Sequence, residues 1–144
     1  MLRFVPRALA IALTLCALAA AEDKDTPEEK VKKDQKNLQG KWRLTAVEKG
    51  GESVDIPQFE PFTFKDQKIL HKDKEHASFK IDVGTDNSII DLTMVEGDRK
   101  IEGIYTLNGD EFKMCLFMGD GASERPSKFN SEGGCVIVTM KREP

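Results

Sequence analysis

Cysteines and large aromatic side chains are scarce in this sequence. Among 144 residues there are three cysteines, one tryptophan and one tyrosine. Cys16 lies in an apolar N-terminal stretch, so Cys115 and Cys135 are the cysteines left for the folded part of the chain. Two cysteines are too few for a small disulfide framework. Burial of apolar side chains must therefore supply most of the stability.

The sequence after residue 21 also lacks a long apolar run and a basic stripe with interleaved aromatics. A membrane-spanning helix needs about 20 consecutive apolar residues. Acidic and basic residues alternate along the chain, and the formal net charge is only −3. These features exclude nucleic acid as an expected partner. They restrict membrane contact to the N-terminal segment before its cleavage.

The N-terminal segment has the layout of a secretory signal peptide. Arg3 and Arg7 are followed by the apolar residues 8–18 and then by three small alanines at 19–21. A positive start, a short apolar run and small residues at the cleavage site are typical of export signals. We predict a signal peptide at 1–21 and an exported protein, in the periplasm, the cell envelope or the medium. An uncleaved anchor is the alternative.

Residues 22–36 are predicted to form a charged linker and a short helix. Thr26 is suited to the N-cap, Pro27 to the first helical position, and Glu29 to a capping box with Thr26. Leu38 would dock the helix, and Gly40 would end it.

From Gly40 onward the apolar pattern has a period of two, which predicts strands. Trp42 and Leu44 alternate with polar neighbours, and similar alternation continues through about eight short segments. With one helix before them, these segments predict an all-β fold. We expect an eight-stranded antiparallel meander barrel over residues 37–143, with a sandwich as the alternative.

The clearest local signal is Asn108-Gly109 between two alternating segments. This pair favours a two-residue type I′ hairpin, because both central residues of that turn need positive φ. The turn would place Tyr105 opposite Phe112 on the apolar face and Cys115 beside Glu102 on the other. Cys135 has the parity of an outward residue too, so the two thiols share a face and are candidates for a disulfide, with two free thiols as the alternative.

The inward-facing apolar positions are the feature best suited to binding. An eight-stranded barrel is either filled by side chains or holds one small ligand. The candidate ligand-lining residues are Phe62, Phe64, Phe79, Ile90, Met94, Tyr105, Phe112 and Met114. The long loop between residues 119 and 134 is expected to cover one mouth of the barrel with Arg125, Pro126 and Phe129. Alternatively, Phe129 plugs the core and Arg125 caps nearby carbonyls.

A resemblance to lipocalins comes from the two ends of the predicted barrel. Gly40-Lys41-Trp42 opens the first strand after a short helix, and Lys141-Arg142 closes the last. This combination resembles the lipocalin signature, in which a basic side chain of the last strand packs over the tryptophan. Gly40, Trp42 and Arg142 are therefore expected to form the barrel base, with a cation–π contact between the last two.

The sequence is also similar to a narrower group, the uncharacterised planctomycete-type lipocalin-like domains of exported bacterial proteins. The residues that carry this similarity are Leu38 to Trp42, Gly103-Ile104-Tyr105, Asn108-Gly109-Asp110, Cys115, Glu124-Arg125-Pro126, Phe129 and Lys141-Arg142. The resemblance implies a lipocalin-like barrel and export. The narrower group implies no activity, whereas the wider family implies binding of small apolar ligands by analogy.

Catalytic patterns are not apparent in the sequence. His71 and His76 flank a charged turn without nearby thiolates, so a solvated turn is favoured over a metal site. The acidic residues alternate with apolar ones or lie in turns, which is typical of a solvated outer face. We expect no cofactor, no metal and no enzyme activity. The predicted function is binding of a small apolar ligand or of an envelope protein, and the alternative is a structural or interaction module with a solid core.

Overall fold

The first element of the described residues is the predicted helix. A computed structural model describes residues 26–120 and 124–144, so the predicted signal peptide lies outside the described residues. Helix α1 spans Pro27–Leu38. The Thr26 hydroxyl accepts from the Glu29 amide at 3.2 Å, and the Glu29 carboxylate accepts from the Thr26 amide at 3.4 Å. The capping box predicted from the sequence is confirmed.

The rest of the described chain is mostly antiparallel sheet. A 3₁₀ turn at Glu96–Asp98 lies between the sixth and seventh strands. The strands are β1 Gly40–Lys49, β2 Glu52–Val54, β3 Phe62–Lys65, β4 Lys68–His71, β5 Lys74–Val83, β6 Ser88–Met94, β7 Lys100–Asn108, β8 Glu111–Phe117 and β9 Cys135–Arg142.

The sheet closes on itself as an eight-stranded meander barrel, as predicted. Strands β3 to β9 pair with their sequence neighbours, and β1 pairs with β3 on one edge and with β9 on the other. The short strand β2 continues the edge of β1 that β3 leaves unpaired. Closure removes exposed strand edges, and it directs alternate side chains toward one shared interior.

The register of the β7–β8 hairpin differs from the predicted one. Tyr105 pairs with Met114 and Leu107 with Phe112, so the two-residue loop is Gly109-Asp110. Only Gly109 in this turn has positive φ, at 59°, so the turn is not type I′. The shift is by two residues, so Tyr105 and Phe112 still face the same side. The observed register sets Leu116 opposite Gly103, where the predicted one would set Met114.

A loop with positive φ at both central positions occurs instead between β4 and β5. Lys72 and Asp73 have φ of 52° and 61°, and they lie between the paired residues His71 and Lys74. This is the backbone pattern of a type I′ turn, here without glycine. The turn directs His71 and the start of β5 to the same end of the barrel.

The interior is apolar from end to end. We call the end where α1 packs the base, and the opposite end, where β4 meets β5 and β6 leads into the 3₁₀ turn, the mouth. The buried core comprises Leu38, Trp42, Phe64, Ile69, Ala77, Phe79, Ile81, Ile90, Leu92, Ile101, Tyr105, Phe112, Met114, Leu116 and Met140.

Candidate functional site

The base of the barrel is closed by a contact between its first and last strands. The Arg142 guanidinium lies 4.4 Å from the centre of the Trp42 ring, which is the arrangement that the sequence predicts. Arg142 also donates to the carbonyl of Gln39 at 3.0 Å and to that of Asn37. A side chain at Gly40 would come within 3.4 Å of the guanidinium. The three predicted base residues therefore meet, and their role is structural.

Helix α1 seals the same end through a buried polar contact. The Tyr105 hydroxyl donates to the Asp34 carboxylate at 2.8 Å, and Lys30 forms an ion pair with the same carboxylate. Burial raises the pKa of Tyr105, and the hydrogen bond to Asp34 raises it further. Because Tyr105 is committed to this contact, it does not face a ligand.

An apolar cavity occupies the half of the interior nearer the mouth. Its volume is about 220 Å³. Among the candidate lining residues, Phe62, Phe64, Met94 and Met114 line it. Phe79, Ile90, Tyr105 and Phe112 do not, and they fill the half nearer the base. Residues that the candidate set did not include complete the wall: Leu44, Val47, Ile69, His76, Ala77, Leu92, Ile101, Leu116, Met118, Val138 and Met140.

The size of the cavity limits what it can hold. Dry apolar cavities of about 150 Å³ bind benzene, whereas pockets for drug-sized ligands begin at about 300 Å³. A volume of about 220 Å³ lies between the two. The cavity reaches the surface, because Met118 in its wall is 40% exposed. It therefore suits one small apolar molecule that enters through the mouth.

An aromatic rim surrounds one side of the mouth. We define it as Phe59, Phe62, His71 and His76. The rings of Phe62 and His71 stack with centroids 4.8 Å apart, and the His71 and His76 rings are 6.3 Å apart. Nε2 of His71 is buried and has no hydrogen-bond partner among the described residues. A buried polar atom without a partner costs about 1–3 kcal/mol.

The sequence interpretation placed both histidines in a solvated turn, and this was wrong for His71. It pairs with Phe62 across β3 and β4, and it shares the inner face with Ile69. The alternation Ile69–His71 was the signal that could have revealed this. Within residues 26–120 and 124–144, no group of three or more metal-ligating side chains is found.

A wider basin of about 540 Å³ adjoins the cavity outside the mouth. The two share His76, Met94, Ile101 and Met118 in their walls. The remaining wall of the basin is mostly charged. Beside His71 and Val95 it has the cations Lys72, Lys74 and Arg99 and the anions Glu75 and Glu96. Glu75 lies 3.6 Å from Lys68, which offsets its charge.

Contrary to the prediction, the described part of the long loop does not cover the mouth. We call its described part, residues 124–134, the strap, because it lies along the outer wall of the barrel. Arg125 bonds to the carbonyl of Gly103 at 2.8 Å and pairs with the Asp91 carboxylate at 2.6 Å. Asp91 and Glu102 are paired outer positions on β6 and β7. Of the alternative, the half in which Arg125 caps carbonyls is observed, whereas Phe129 is not among the core residues.

The strap is held at both ends of the wall. At the base end, the Asn87 side chain donates to the Ser127 carbonyl at 2.8 Å. Toward the mouth, buried Ser131 accepts from the Gly51 amide at 2.8 Å and donates to Glu48 at 3.1 Å. Pro126 and Phe129 are half-buried between these attachments. Neither plugs the mouth or the core.

An apolar row on the outer wall explains why the strap packs there. Ile89, Ile104, Cys115 and Ile137 pair in register across β6 to β9. Ile104 and Cys115 are fully buried although they point outward. Outward apolar side chains need a cover, and the strap supplies it, since the Cys115 thiol donates to the Asn130 carbonyl at 3.5 Å.

The two cysteines share this outer face, but their neighbours differ from the predicted ones. Cys115 pairs with Ile104, not with Glu102, because of the register shift. Cys135 pairs with Phe117, two positions from Cys115 along β8. Both are free thiols here. Burial raises the pKa of Cys135, and the neighbouring Cys115 raises it further. A disulfide between them stays a prediction.

Comparisons with models of protein families, with curated proteins and with solved structures find no match for this chain. The predicted membership of a lipocalin-like family thus stays a prediction. Among the helices in the described part of the chain, none has the length and apolar character required to cross a membrane.

Proposed function

We propose that this protein is a non-catalytic, exported barrel that binds one small apolar molecule in the cavity. The observation that carries the proposal is the contrast between the two halves of the interior. The base half is filled by Trp42, Tyr105 and Phe112, while the mouth half contains an open pocket of about 220 Å³ with an almost wholly apolar lining. Such concave apolar sites are where proteins hold small molecules.

The composition of the wall favours an adaptable site. Met94, Met114 and Met140 contribute to the lining, and methionine side chains adjust to irregular shapes because they are unbranched and polarizable. Ala77 lies between Ile69 and Met94 on the neighbouring strands. A small side chain among larger ones leaves space that Leu or Phe at this position would occupy.

The predicted export signal and the resemblance to lipocalins support the same proposal. A secreted carrier needs no catalytic group, and the acidic residues Asp91 and Glu102 pair with Arg125 of the strap. The fold alone does not specify a function. The proposed binding function therefore depends on the cavity.

The proposal is tested by filling the cavity. Ala77→Leu places three more carbon atoms inside the lining, whereas Ala46→Leu adds the same atoms at an exposed position of β1. We expect toluene to bind the wild-type protein and Ala46→Leu equally, and to bind Ala77→Leu at least about ten-fold more weakly, as measured by calorimetry. Equal toluene binding by Ala77→Leu would contradict a site in the cavity.

A second candidate is contact with another protein at the mouth. Phe59, Val95 and Met118 are 40–52% exposed and all lie at that end. Clusters of exposed apolar side chains mark interaction sites. If no small apolar molecule binds, this interaction function becomes the better account of the mouth.

A further inference from the structure

We propose that the natural ligand carries a carboxylate, which binds at the mouth against Nε2 of His71 while its apolar part fills the cavity. This inference rests on the proposed function and adds the chemical class of the head group. It predicts an amphiphile with a short acyl chain or a single ring.

His71 at the mouth has a nitrogen without a hydrogen-bond partner among the described residues. His71 lies on the inner face of β4 and is packed between Phe62 and Phe59, with ring centroids 4.8 Å and 6.4 Å away. The nitrogen Nε2 is buried and lacks a partner among the described residues. An imidazole with its hydrogen on Nε2 donates one hydrogen bond, and a small movement of the covering Phe59 ring would open this nitrogen to an acceptor at the mouth.

The charges that surround His71 in the basin are mostly positive. Lys72 and Lys74 continue from His71 through the turn, and Arg99 lies across the basin from them. Arg99 donates to the carbonyls of Met118 and Gly119 at 2.9 and 3.1 Å, which holds its guanidinium at the mouth without consuming its charge. No carboxylate forms an ion pair with these three cations within the described residues.

The acidic side chains of the same basin do not reverse this field. Glu75 is offset by Lys68 at 3.6 Å, which leaves Glu96 as the one unpaired anion lining the described basin. An anionic head group is therefore favoured over a cationic one. A charge-assisted hydrogen bond is about twice as strong as a neutral one, so a carboxylate gains more from His71 than a neutral oxygen does.

The apolar cavity and the charged basin are continuous. His76, Met94, Ile101 and Met118 belong to both walls. A molecule with its tail in the cavity must therefore place its head in the basin, beside the two histidines. The boundary between the two spaces is the aromatic rim.

Hexanoate and hexylamine test the proposal, because they share one tail and carry opposite charges. Toluene serves as the probe without a head group. We expect the wild-type protein to bind hexanoate at least about ten-fold more tightly than protonated hexylamine at pH 7. His71→Phe keeps a ring against Phe62 and removes the nitrogen. It should weaken hexanoate about ten-fold and change toluene less than about two-fold.

A second variant tests the charge apart from the histidine. Lys72→Asn combined with Lys74→Gln removes two cations, and asparagine tolerates the positive φ of Lys72. We expect hexanoate affinity to fall about two- to three-fold, with the difference largest at low salt.

The outcomes separate this inference from the proposed function. If toluene binds but hexanoate shows no preference over hexylamine, or if His71→Phe leaves hexanoate unchanged, the carboxylate proposal is overturned and the cavity remains a binding site. If toluene, hexanoate and hexylamine all fail to bind the wild-type protein, both proposals are overturned.

Discussion

The guanidinium of Arg142 lies over the Trp42 ring at 4.4 Å, while the indole nitrogen of Trp42 donates to the Leu38 carbonyl at 2.8 Å. One tryptophan thus connects the first strand, the last strand and the end of α1. Trp42 and Arg142 are also direct partners across β1 and β9. The pairing of β1 with β9 therefore closes both the barrel and its base.

Trp42→Ala should destabilise the protein by about 3–5 kcal/mol, because the fully buried indole leaves a large void and the Leu38 carbonyl loses its donor. Arg142→Met should cost less, about 1–2 kcal/mol, since an apolar stem still covers the ring. Urea unfolding measures both. A loss below about 1 kcal/mol for Trp42→Ala would contradict its place in the core.

Tyr105→Phe should cost about 1.5–3 kcal/mol, the range for a hydrogen bond to a charged group. The variant keeps the buried ring and removes the hydroxyl that donates to Asp34. Lys30→Met provides a comparison, because it removes the other partner of the same carboxylate. If Tyr105→Phe is as stable as the wild type in urea, the hydroxyl does not tether α1 to the base.

The same pair predicts an alkaline instability. Burial and the bond to Asp34 raise the pKa of Tyr105 in the folded protein. Its contribution is therefore complete below the unfolded pKa of about 10 and is lost as the pH rises through the folded value. Between about pH 9 and 11.5, the wild-type free energy of unfolding should fall more steeply than that of Tyr105→Phe. Parallel curves would contradict the assignment.

His71→Phe should raise the stability of the ligand-free protein by about 1 kcal/mol, because the buried nitrogen without a partner is removed and the ring stacked on Phe62 remains. His76→Phe is the matched control at an exposed position and should change stability by less than about 0.5 kcal/mol. Thermal unfolding without added ligand reports both. Destabilisation by His71→Phe would show that Nε2 has a partner after all.

Gly103→Ala should destabilise the protein by about 2 kcal/mol or more through overpacking. A methyl group there would meet the Cys115 carbonyl and a methyl of Leu116, each at 2.6 Å. Leu116→Ala in the same chain should recover part of the loss by removing one of the two clashes. Additive effects of the two changes in urea unfolding would argue against the observed β7–β8 register.

The cysteines should react slowly with iodoacetamide in the folded, reduced protein. Burial and the neighbouring Cys115 raise the pKa of Cys135, so little thiolate is present near pH 8. Cys115 is fully buried under the strap. Mass spectrometry should show both thiols protected until urea unfolds the chain. Fast alkylation of Cys115 would indicate that the strap opens readily.

Local patterns in the sequence were sufficient for the elements and for much of the fold. The capping box at Thr26 and Glu29 depends on residues three apart, so neighbours alone decide it. Alternation with a period of two assigned the strands and their apolar face. The positions of Trp42 and Arg142 at opposite ends of that pattern predicted the base contact, since a closed meander must bring its first and last strands together.

Tertiary structure decided what depends on distant packing. The β7–β8 register departs from the one that Asn108-Gly109 favours, and it sets Leu116 opposite Gly103. The strap packs on the outer wall because Ile104 and Cys115, outward-facing by parity, become a continuous apolar row only when four strands align. The pocket of about 220 Å³ near the mouth depends on the side-chain volumes that all eight strands contribute together. No single strand determines that volume. The sequence alone therefore determined the barrel, whereas three-dimensional packing determined its cavity.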